Sequence, residues 1–171
     1  MRLQAVANSI AWSRRQRRSH LELRDILLVL HIAGAGTWFG ANIVQAVVPS
    51  MAFKQAGATA SGWYRIAGRL STVLYMPAAI LILLTGVFLV LQSDVYDFGS
   101  LFVTIGLFTV VVGALLGAFV FGPVSKRAAD AIDARDDTGA KAATGRLATF
   151  GVVDTLLVLA TITVMVLRLT V

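Results

Sequence analysis

The chain has no cysteine, two histidines, three prolines and a charged fraction of only 14%, and each shortage removes a class of function. Without cysteine there are no disulfides, no thiolate metal centres and no thiol nucleophile. The histidines, His20 and His31, stand eleven residues apart, and only His31 falls within an apolar run. One chain therefore cannot give a haem two imidazoles; only a homodimer could. So few charges, set against 57% hydrophobic residues and a mean hydropathy of +0.80, exclude an ordinary soluble domain, which needs more polar surface to cover its core. Lipid is the main solvent. The net charge of +6 sits in the tail and loops, where it suits anionic headgroups. With no basic soluble fold, nucleic acid is not an expected partner.

What is present is four apolar runs of spanning length. The sequence predicts an all-α fold: a four-transmembrane-helix bundle over residues 25–171, with spans at about 26–48, 71–92, 101–122 and 148–168. An amphipathic Arg-rich segment precedes it at 1–24, where Leu3, Val6, Ala7 and Ile10 recur at helical spacing ahead of Arg14, Arg15, Arg17 and Arg18. The first span, ending at Val48-Pro49, is too long for the apolar core of a cleaved signal and is expected to be retained. Almost no soluble domain is expected. The link at 51–70 is basic, that at 93–100 carries only Asp94 and Asp97, and that at 123–147 is mixed in charge, helical at its start and solvated. The first and third links hold eight Lys and Arg against seven in the lead plus Arg168, so the positive-inside rule does not set the orientation. Met76-Pro77 predicts a kink in the second span.

Two polar stripes interrupt the apolar helices. His31, Trp38, Asn42 and Gln45 stand at i, i+7, i+11 and i+14 on one face of the first span, and Asp154, Thr161, Met165 and Arg168 repeat that spacing on the fourth. The two helices run antiparallel if all four segments span. As neighbours they would set Asn42 and Gln45 level with Asp154, near Tyr75 of the second span, and His31 level with Met165. For His31, with Met165 and Trp38 as further cofactor contacts, the pattern admits axial ligation of haem or another tetrapyrrole, or of copper with the thioether; a hydrogen bond to a facing helix is the plainer alternative. For Asp154, a proton relay or substrate contact competes with a structural bond to Asn42 or Gln45. Gly36 with Gly40, and Gly113 with Gly117, form GxxxG pairs suited to close helix packing within or between chains.

The run Leu30-His31-Ile32 followed by Thr37-Trp38-Phe39 resembles the first transmembrane helix of the HemJ-type protoporphyrinogen oxidases, and Arg69 through Pro77-Ala78-Ala79-Ile80-Leu81 to Gly86 resembles their second. More broadly the chain is similar to the DUF2269 and CopD-like small four-helix membrane proteins. The resemblance implies haem b at His31 and a cytoplasmic link between the first two spans. The lysine that HemJ-type enzymes carry near the start of the third helix has no counterpart in Ser100-Leu101-Phe102-Val103-Thr104, so their oxidase activity is not carried over with it. The expectation is a haem-binding protein of a bacterial inner (plasma) membrane serving a redox or haem-related process. The alternatives are an accessory subunit of a homo-oligomer or larger membrane complex, and a small proton-coupled transporter using Asp154.

Overall fold

The computed structural model describes the backbone of residues 2–52 and 57–167, with side chains over 23–51 and 58–167. Six helices follow one another: α1 (Arg2–Ala52), α2 (Gly57–Leu70), α3 (Met76–Leu91), α4 (Leu101–Leu116), α5 (Gly122–Asp133) and α6 (Asp137–Leu167). A π-helical turn, Ser71–Tyr75, joins α2 to α3, and another, Gly117–Phe121, joins α4 to α5. Among the described residues there is no strand. Lipid cannot satisfy a backbone N–H or C=O, so each crossing segment must close its own hydrogen bonds. Four stretches are long and apolar enough to cross: Leu23–Met51, Ala58–Leu91, Leu101–Asp133 and Asp137–Leu167. The chain is an integral membrane protein built as a four-helix bundle. The amphipathic face expected of the Arg-rich lead, together with Lys54 and Arg168, lies outside the described side chains.

The bundle is apolar outside, and its interior carries polar groups. Val166 is 74% exposed and Phe119 72%, as suits side chains meeting acyl tails. Many buried positions are small or polar, Ala41, Asn42, Thr85, Gly106, Thr109, Gly113, Asp154 and Thr161, beside Trp38, Val103 and Val158. Helix α1 packs on α3 and α6, and α4 packs on α6 and α3.

Two features go beyond the spans read from the sequence. The helices do not stop at the membrane edge: α2 runs through its π turn into α3, and α4 likewise into α5. A 34-residue helix such as Ala58–Leu91 is about 50 Å long, some 20 Å more than the hydrocarbon layer. The surplus forms a layer outside the membrane, where α2, α5 and the start of α6 bury Tyr64, Ala128 and Ala129 under Trp63, Ile132, Ala143 and Leu147. The mixed-charge link at 123–147 is helical at its start, and alanines at close spacing let the helices of this layer approach closely. Exposed ion pairs from Arg65 to Asp130 and Asp133, and from Lys126 to Asp130, trim its surface and add little stability.

The second concerns proline. Pro49 sits inside α1, which continues to Ala52, past the Val48-Pro49 end of the apolar run. Pro77 does perturb the second span, through a widened turn. Met76 N–H bonds to Ser71 O, five residues back, and Gly122 N–H bonds to Gly117 O just ahead of Pro123. A π turn relaxes the ladder where the ring would otherwise strike it. The membrane chain ends its outer layer with a tight reversal: Arg135 takes φ 57°, and Asp136 then caps α6 by accepting from Gly139 N–H at 2.9 Å.

Candidate functional site

Two polar levels lie inside the bundle. At the first, Asp154 of α6 is 1% exposed, and its Oδ2 accepts from Trp38 Nε1 at 3.0 Å and from Asn42 Nδ2 at 2.8 Å, both on α1. Asn42 Oδ1 in turn accepts from the Tyr75 hydroxyl at 2.8 Å, and Tyr75 accepts from Gln45 Nε2 at 3.1 Å. Every donor in the chain from Gln45 to Asp154 therefore points towards the carboxyl. The indole of Trp38 meets Tyr75 edge-on, at 6.0 Å between centroids.

Gly113 of α4 is what lets this cluster close. A Cβ there would lie 2.5 Å from Trp38 Cη2, nearer still to Cζ2, and 3.4 Å from Asp154 Oδ1. The other atom of the carboxyl, Oδ1, is buried with no hydrogen-bond partner.

At the second level His31 turns to α3. Its Nδ1 lies 3.1 Å from the Ile82 carbonyl and 3.0 Å from Thr85 Oγ1. A carbonyl only accepts, and the Thr85 hydroxyl already donates to Leu81 O at 2.6 Å, so the network assigns the ring proton to Nδ1. Nε2 is left with its lone pair and no hydrogen bond among the described residues. Gly86 flanks the ring, a Cβ at that position coming to 3.1 Å from Cε1.

Of the residues singled out in the sequence, the structure unites Trp38, Asn42, Gln45, Tyr75 and Asp154. It does not pair His31 with Met165 through any polar contact: the Met165 methyl fills the space over Gly106 of α4, where a Cβ would come within 2.5 Å of Cε. Trp38 belongs to the Asp154 level. Gly36, Gly40 and Gly117 meet nothing within 4 Å, so of the two GxxxG pairs only Gly113 packs tightly inside the chain.

Sequence reasoning missed Thr85, the Ile82 carbonyl, and Thr109, whose hydroxyl lies 2.6 Å from that of Thr161. A signal was there. Tyr75, Ala78, Ile82 and Thr85 recur at i, i+3, i+7 and i+10, and Gly106, Thr109 and Gly113 at i, i+3 and i+7, the inward faces of two further helices. Among the described residues no three His, Asp or Glu side chains gather into a metal-binding group, so a metal at His31 would have to bring other ligands with it.

No curated protein and no solved structure matches the chain. The model of one family does match, over residues 25–169. Its span takes in all four crossing helices and both polar levels, so the chain belongs to DUF2269, a family described as predicted integral membrane proteins.

Proposed function

We propose that this membrane protein binds a tetrapyrrole, haem b, through Nε2 of His31, and serves a redox or haem-related process in a bacterial inner membrane. One observation carries the reading: the His31 ring is held by Nδ1–H donation to the Ile82 carbonyl, which fixes the tautomer and leaves Nε2 as a lone-pair donor. Ligating histidines are oriented in this way, and donation at one nitrogen raises the basicity of the other. A macrocycle brings four nitrogens of its own, which answers the lack of further protein ligands around His31 and favours haem over a bare copper ion. Haem supplies one-electron chemistry when bound. The chain's part would be to hold the haem through His31 Nε2, with Thr85 steering the ring. Met165 is engaged with Gly106, so a second protein ligand would come from a second copy.

The test is a titration of detergent-purified protein with haem b, followed by absorption. A Soret band saturating at one haem per one or two chains, and lost in His31→Ala, is expected. Thr85→Val should weaken binding and broaden the band, since the ring loses one of its two anchors. Binding that is equal in His31→Ala, or absent throughout, removes the proposal.

A second reading, an accessory subunit of a larger assembly, draws on Gly36 and Gly40. Both are exposed on α1 with open space beside them, a step into which another helix can press. Native-detergent mass measurement that finds only the monomer would count against it.

A further inference from the structure

The hydrogen bonds of the Asp154 carboxyl leave one of its oxygens unaccounted for. Buried polar atoms are ordinarily paired. Here both donors converge on Oδ2, while Oδ1 is buried against Gly113 without a partner.

The surroundings decide what Oδ1 can hold. From α1 come Trp38 and Asn42, both donors to Oδ2; from the π turn comes Tyr75, whose one proton is spent on Asn42; and from α4 comes Gly113. None of these carries a positive charge. The nearest cation along α6, Arg146, is eight residues away, or about 12 Å, and His31 lies seven residues from Trp38, about 10 Å along α1. A carboxylate here would leave its second oxygen bare, with neither donor nor cation to meet it, in a medium where an unpaired ion costs several kcal/mol. A proton on Oδ1 cancels that charge at the cost of one unmade hydrogen bond.

We propose that Asp154 is a proton-binding site inside the membrane, carrying an exchangeable proton on Oδ1. The site is independent of any group at His31 and operates in the chain without a cofactor.

Infrared spectroscopy of the full-length, cofactor-free protein in lipid tests this directly. The expected result is a carboxylic-acid C=O band that is absent from Asp154→Asn and shifts in D2O. Asp154→Asn retains the acceptor oxygen, and a fold check by circular dichroism accompanies it. In Trp38→Phe, which keeps the carboxyl, the band should move to higher frequency because Oδ2 loses one donor. A wild-type minus Asp154→Asn difference with only carboxylate bands overturns the proposal. So does an acid band that does not exchange in D2O.

Discussion

Replacing Gly113 by alanine tests the first polar level with the least chemistry. The added methyl would stand 2.5 Å from Trp38 Cη2, and ordinary van der Waals contact begins at 3.4 Å, so the indole must retreat by about 0.9 Å or more. The ring has little freedom to do so, being 4% exposed, edge-on to Tyr75 and bonded to Asp154 at 3.0 Å. A retreat of that size carries the N–H beyond hydrogen-bonding range. Overpacking a close-fitted site costs about 1–3 kcal/mol and the lost bond about 1 kcal/mol, which together give about 2–4 kcal/mol. Equilibrium unfolding in mixed detergent, read by tryptophan fluorescence, measures it. Gly106→Ala is the internal control: the intruding atom there is the end of the flexible Met165 chain, which can swing aside, so its cost should be a fraction of that at Gly113. In a Trp38→Phe background the penalty at Gly113 should shrink. Equal costs for the two alanines, or no coupling to Trp38, would refute the packing argument.

Other substitutions follow from the same geometry. Thr109→Val should cost about 0.6 kcal/mol, the usual worth of a hydrogen bond between membrane helices, because Thr161 keeps its own bond to Leu157 O; unfolding equilibria will show it. Asn42→Leu strands both the Tyr75 proton and one lobe of Asp154 Oδ2, and should cost about 1–3 kcal/mol per group left unpaired in the same assay. Gly36→Ala and Gly40→Ala meet open space and should leave monomer stability within about 0.5 kcal/mol. If they alter anything, it will be the oligomer distribution seen in native-detergent mass measurements.

The parts of this molecule that could be read from sequence are those governed by lipid. Uncharged runs such as Leu101–Gly122 have no stable place but the membrane, and a residue such as Asp154 within one must face protein. The heptad-like spacing of His31, Trp38, Asn42 and Gln45 placed three of the four at one centre because helical periodicity alone determines a face. Depth along the axis was harder. His31 shares the stripe, yet its ring turns to Thr85 and Ile82, since a face seven residues wide can lean on either neighbouring helix. Which helix neighbours which is a matter of packing, and the small residues that decide it, Gly86 and Gly106 among them, look in sequence like any other glycine. The full extent of the outer layer is not legible in composition for a related reason. Composition marks where hydrocarbon ends, but the alanines of α2 and α5 that extend the helices into water carry little hydropathy of either sign.

The first polar level requires α1 and α6 to stand side by side with Asn42 and Asp154 in contact. Because the protein has no cysteine of its own, that contact can be probed without background: Asn42→Cys with Asp154→Cys, oxidised in native membranes, should form an intramolecular cross-link, seen as a mobility shift reversed by reductant. A pair on the lipid-facing sides, Val44→Cys with Leu156→Cys, should not. Cross-linking of the second pair and failure of the first would turn both stripes towards lipid and contradict the account.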